Sequence, residues 1–169
     1  MIMWKIAILV AAAAASAPQS QVASEPASKW HIESQLSQLG DTGSFTADLD
    51  STNRLRDDVG SLQAATLFVQ CEDGELNAYV AWPPFMGSED RKVRWKFDAD
   101  AVTEQTWTGA ELGAATFAPK PYEFLARLAG AKHLVIDAPR PEQTDVEAIF
   151  ETAGADKIAA AALAACPKP

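Results

Sequence analysis

Two thiols, two histidines and a few clusters of like charge are the residues of this 169-residue sequence whose types and spacing could do chemistry. Cys71 and Cys166 allow only one pairing, and in an oxidising compartment such a pair forms a disulfide rather than a metal site. That bridge would close a loop of about 95 residues, worth roughly 4 to 5 kcal/mol by loop-closure entropy before strain is subtracted. Neither His31 nor His133 lies at ligand spacing from a cysteine, so a zinc site is excluded. His133 and Asp137 share one face of a strand, yet their Cα atoms would be about 13 Å apart, too far for a direct catalytic pair. No Gly-x-Ser-x-Gly elbow supplies a nucleophile. Asp98 and Asp100 read as solvated strand-end groups, and Glu72-Asp73-Gly74-Glu75 as a turn without the ligand pattern of a calcium loop. The sequence therefore points to no catalytic residue, cofactor or metal.

Two constellations suit binding. Lys92, Arg94 and Lys96 recur at strand spacing, so they form one outward row of cations. Such a row either holds an anionic group or pairs with acids on neighbouring strands, and the many nearby Asp and Glu favour pairing. Trp82-Pro83-Pro84-Phe85-Met86 joins two stiffening prolines to three residue types that anchor protein interfaces. It is either a docking loop or a lid over one end of the core.

These groups belong to an acidic chain, with 14 Lys and Arg against 23 Asp and Glu and a net charge of -9. That balance repels phosphate backbones and anionic headgroups, excludes nucleic acid as a general partner, and speeds encounter with basic proteins. The N-terminus gives an address. Lys5, the apolar run Ile6 to Ala14 and the small residues Ala13 to Ala17 form a secretory signal peptide over residues 1–17. Cleavage fits after Ala15 or Ala17; the first is preferred because the second leaves Pro18 at the new terminus. An apolar run of roughly ten residues falls short of the ~20 that span a bilayer. No cysteine follows it, so a lipoprotein anchor is not expected. Residues 18–28, rich in Ser, Gln, Ala and Pro, read as a flexible leader, and residues 29–169 as a single globular domain.

The elements that position these groups follow from periodicity. Asp73-Gly74 as a two-residue type I′ turn makes residues 66–82 a hairpin, with Cys71 opposite Leu76, Val69 opposite Ala78 and Leu67 opposite Val80 on one apolar face. The other face pairs Phe68 with Tyr79 and Gln70 with Asn77, and its half-apolar character predicts a covering helix or second sheet. Alternation places further strands at residues 45–50, 92–98, 133–137 and 145–151, with Trp30 and Ile32 opening the set and a short strand over 105–108. Pro121, Phe124, Leu125 and Leu128 set a helix that ends before Gly130; Ile158, Ala162 and Cys166 stripe an Ala-rich helix over 155–165. The expected fold is α+β, a mostly antiparallel meander or sandwich of six or seven strands. One helix packs on it and a C-terminal helix is tied on by the disulfide.

With these residues placed, the chain resembles the VasI-like family of exported proteins associated with type VI secretion. The resemblance is carried by Trp30, the Gly40-Asp41-Thr42 turn, the Leu67-x-Val69-x-Cys71 strand and its return, Val93-Arg94-Trp95-Lys96-Phe97-Asp98, Trp107, Phe117, and Gly154 leading a helix into Cys166. It spans nearly all of residues 30–166. It implies a disulfide-stapled envelope protein with a role beside type VI secretion and no enzymatic activity to transfer. Three functions remain open: an exported accessory or binding protein engaging an envelope partner, an inhibitor of a basic cell-wall hydrolase such as a lysozyme, and an envelope hydrolase.

Overall fold

Asp73 and Gly74 both take positive φ, 51° and 78°, the geometry of a type I′ turn that matches the twist of the strands it joins. The register follows from it. Glu72 faces Glu75, Cys71 faces Leu76, Val69 faces Ala78 and Leu67 faces Val80, so the whole buried set of the hairpin falls on one side. This computed structural model describes residues 28–35, 44–141 and 143–168. The expected signal peptide, the leader before Ser28 and the Gly40-Asp41-Thr42 turn lie outside the described residues.

The described residues form eleven strands and two helices: β1 (His31–Gln35), β2 (Ser44–Asp50), β3 (Leu55–Arg56), β4 (Leu62–Gln63), β5 (Thr66–Glu72), β6 (Glu75–Ala81), β7 (Arg91–Phe97), β8 (Thr103–Gly109), β9 (Ala115–Phe117), α1 (Pro121–Leu128), β10 (His133–Ala138), β11 (Val146–Glu151) and α2 (Ala155–Ala165). Nine form one antiparallel sheet in the order β1-β2-β5-β6-β9-β8-β7-β10-β11, and β3 pairs with β4 separately. The sequence pattern leads to six or seven strands in simple succession. The strands that the pattern does not show include β3, β4 and β9, whose two, two and three residues are too few to alternate visibly. Strand β9 enters beside β6 through Trp82 N–H to Ala114 O and Ala118 N–H to Ala78 O, so the chain after β6 runs out to β7 and returns.

The sheet curls until its far edge meets the chain leaving β2. Thr52 N–H donates to Ile149 O at 2.7 Å, while the Asn53 side chain donates to Glu147 O at 2.7 Å and accepts from Ile149 N–H at 2.9 Å. These bonds cover the outer backbone of β11, an edge otherwise open to pairing. The concave side holds the core: Leu67, Val69 and Val80 from one half, Val93, Ile136 and Phe150 from the other, all fully buried.

Both helices fill this concavity. Pro121 occupies the first turn of α1, where a missing N–H costs nothing. Gly130 follows the helix end as expected but without left-handed φ; the chain leaves through Gly130 N–H to Arg127 O and Ala131 N–H to Leu128 O. Phe124 of α1 meets Trp95, Phe97 and Trp107 with ring centroids 5.5, 5.5 and 5.6 Å away. Helix α2 starts after Gly154 at φ 86° and buries Ala155, Ile158, Ala159 and Ala162 against β2 and β5. Cys166 at its end is bonded to Cys71, with Cα atoms 5.8 Å apart.

Because the helices take the concave side, the expected cover over the outer face of the hairpin is not formed by them. Phe68, Tyr79 and Phe117 instead cover one another, with centroids 4.9 and 4.7 Å apart. Each ring is half-buried by its neighbour.

Candidate functional site

The structure divides the cation row. Lys92 pairs with Glu104 at 3.0 Å and Arg94 with Asp137 at 2.7 Å, each across to an adjacent strand. Asp137 raises the Arg94 guanidinium above its ordinary value by hydrogen bond and charge. Lys96 stands opposite Val135 with no ion pair among the described residues. Lys96 and the Arg94–Asp137 pair border a shallow depression of about 250 Å³ whose lining also includes Trp95, Val102, Val135 and Glu147. The row is mainly a cross-strand lattice, and exposed pairs of this kind are worth about 0–1 kcal/mol each.

The Trp82–Met86 segment is mostly interior. Trp82, Pro84 and Met86 are buried and Pro83 half-buried; the Trp82 indole N–H donates to the buried Thr116 hydroxyl at 3.0 Å. These residues close the core, so Trp82, Pro84 and Met86 offer a partner no surface. Phe85 alone turns outward. Its N–H donates to Asp58 Oδ2 at 2.7 Å and its carbonyl accepts from Arg140 Nε at 3.3 Å. Arg140 also holds Asp58 Oδ1 at 2.6 Å with its side chain only 11% exposed, so it acts as a strut rather than a presented charge.

Three loops thus meet at one end of the sheet. The first is the β3–β4 hairpin, tied by Asp57, whose Oδ1 accepts from Val59 N–H at 3.0 Å and Ser61 N–H at 2.7 Å and whose Oδ2 accepts from Gln63 at 2.7 Å. Desolvation alone would raise the Asp57 pKa, but these donors outweigh it and hold it below the ordinary 3.8. A depressed carboxylate stabilises the fold above its unfolded value, and that contribution is lost as pH falls through the lower folded value. The amide shifts of Val59 and Ser61 should accordingly titrate together with a midpoint below 3.8, and Asp57→Ala should abolish the transition.

The second loop, residues 83–90, is braced by Arg91, which donates to the carbonyls of Pro139, Gly87 and Glu89, each at 2.9 Å. The third is the turn closed by Gly113 N–H to Ala110 O. Gly113 has φ 66°, and the Phe85 ring lies where its Cβ would be. Gly113→Ala therefore meets both a left-handed backbone and an occupied volume, and should cost about 1–3 kcal/mol in urea unfolding while displacing Phe85.

Sequence reasoning singled out Phe85 but not the Asp58 and Arg140 that hold its backbone. Asp58 and Arg140 stand 82 residues apart, and no local pattern announces such a pair.

Asp98 accepts from the backbone N–H groups of Lys132 and His133, and Asp100 holds Arg127 at 3.0 Å. His133 is exposed, opposite Glu151. Among the described residues no three His, Cys, Asp or Glu converge on a metal position. The rings of Phe68, Tyr79 and Phe117 lie against one another, with interplanar angles of 14° and 31°.

No protein-family model matches the chain, and no curated protein matches it. Among solved structures, the chain is similar to the crystal structure of invasion associated protein B from Bartonella henselae, with a TM-score of 0.52 and 17% identity over 81% of this chain and 93% of that one. The likeness is one of fold.

Proposed function

We propose that this protein is an exported, non-enzymatic accessory or binding protein of the bacterial envelope, engaging another envelope protein through its sheet surface and the loop that carries Phe85. The observation that carries the reading is an apolar ring held outward on a braced loop. Phe85 is 55% exposed, yet its backbone is pinned on both sides by Asp58 and Arg140. A rigid exposed aromatic loses little entropy on docking. Export is supported by the signal-like N-terminus and by the Cys71–Cys166 bridge, a bond favoured in oxidising compartments. No helix of the described residues is long and apolar enough to cross a membrane. The similar fold of a protein named for association with invasion is in keeping with an envelope setting, and the VasI-like resemblance adds type VI secretion as the system served.

A second reading, inhibition of a basic cell-wall hydrolase, is favoured by the net charge of -9, which would steer such an enzyme to this surface. The test is capture by the oxidised protein from periplasmic extract across a salt series. The first reading expects one stoichiometric envelope protein. The second requires a muramidase whose capture weakens with salt. Turnover of peptidoglycan or an ester, lost in His133→Ala, would contradict both.

A further inference from the structure

The aromatic strip on the outer face of the sheet is continuous. Phe68 of β5 stands opposite Tyr79 of β6, and Tyr79 opposite Phe117 of β9, with ring centroids 4.9 and 4.7 Å apart. Both helices lie on the concave side, so neither covers it, and each of the three residues keeps part of its surface exposed. A run of touching rings differs from the scattered single apolar residues of an ordinary surface.

The charge around the strip is of one sign. Strands β1, β2, β5, β6 and β9 contain no lysine or arginine at any position. Their acids all fall in the outward register: Glu33 opposite Thr46, Asp48 opposite Phe68, Asp50 opposite Thr66, and Glu72 opposite Glu75. None of these acids forms an ion pair among the described residues. Asp50 accepts from the Thr66 hydroxyl and Glu72 from the Gln70 amide, both neutral groups. Only His31, opposite Asp48, brings a basic side chain to the outward positions of these strands. The negative field reaches the strip itself: burial raises the Tyr79 hydroxyl above its ordinary value, and the charges of Glu72 and Asp48 push it the same way. The other half of the outer face differs, because there Lys92 and Arg94 are matched by Glu104 and Asp137.

We propose that the outer face of β2, β5, β6 and β9 docks a basic protein segment, whose arginine or lysine stems lie along the Phe68–Tyr79–Phe117 strip with their charged heads toward Asp48 and Glu72. The inference rests on the binding-protein reading and adds the face used and the partner's chemistry. Long cationic side chains combine an apolar stem with a charge that aromatic rings attract, which is what a strip of rings bordered by unpaired acids complements. A neutral glycan would leave those acids without counter-charge. An anionic membrane, or the same face of a second copy, would be repelled.

A photo-crosslinking residue placed in the full-length chain at Thr46 or Asn77, in the row beside the strip, tests this in the intact envelope. Thr106, opposite Lys92 on the ion-paired half of the face, and Phe85 on the braced loop are the comparison positions. Adducts from Thr46 and Asn77 to a protein peptide with an excess of Lys and Arg are expected. Their yield should fall about tenfold in the Glu33→Lys, Glu72→Lys, Glu75→Lys variant, three exposed positions whose change leaves the melting temperature close to that of the parent. In the unsubstituted chain the same adducts should weaken as salt is raised in an envelope preparation, a reading independent of how the variant folds. A yield unmoved by both charge reversal and salt would overturn the role of the acids. Adducts from Thr106 or Phe85 alone would overturn the placement while leaving the binding reading standing. Adducts to a second copy, to a glycan, to lipid or to an acidic peptide would overturn the partner chemistry. The absence of adducts at every position would overturn both.

Discussion

Phe124→Ala should lower stability by about 3–5 kcal/mol, among the largest effects of any single substitution in the chain. Phe124 is 3% exposed, on the inward side of α1, where its ring meets Trp95, Phe97 and Trp107. Truncation removes the transfer free energy of the ring, its edge-to-face contacts with Trp95 and Trp107, and a neighbour of Trp95, over which the Arg127 guanidinium sits at 4.5 Å. The cavity opens between a helix and the sheet, so neighbours can collapse only partly. Urea unfolding followed by tryptophan fluorescence reads the loss. Phe124→Leu, which keeps most of the volume, should cost clearly less.

Cys166→Ala should cost about 2–5 kcal/mol and loosen residues 155–168 before the rest of the fold. Four residues of α2 are buried, three of them alanines, and a methyl group contributes little apolar area. An isolated helix of 11 residues is marginal in water. The bridge to Cys71 therefore supplies much of what keeps α2 in the concavity. Hydrogen exchange resolved by peptide should show the α2 amides released first, both in the variant and in reduced wild type. An unchanged melting temperature under reductant would contradict this.

How far the sequence led depends on the range over which each feature is encoded. The β5–β6 hairpin was legible to the residue because two local signals agree: an Asp-Gly turn and an alternation that only the two-residue loop preserves. The bridge was legible because two cysteines leave one pairing. Lys92 and Arg94 found the acidic neighbours that the pattern favoured, although Glu104 and Asp137 could be named only once the strand order was known. That order was not legible. β9 is three residues long, β3 and β4 two each, and elements so short leave no period to count.

The Trp82–Met86 segment shows a different limit. Its composition announces apolar surface, but an interface anchor and a core lid have the same composition. Only the contact of Trp82 with Thr116 separates them. The loop end was hidden for a third reason. Its ties join residues 27 and 82 positions apart, and such pairs are set by the closure of the whole sheet.

The proposed export into an oxidising compartment underlies the reading of the bridge and of the envelope partner, and peptide mapping of the protein isolated from an envelope fraction, without reduction, tests it most directly. The account predicts an N-terminus at Ser16 or Pro18 and a single linked peptide joining Cys71 to Cys166. An intact Met1 on soluble cytoplasmic protein, with both thiols free to label, would contradict it.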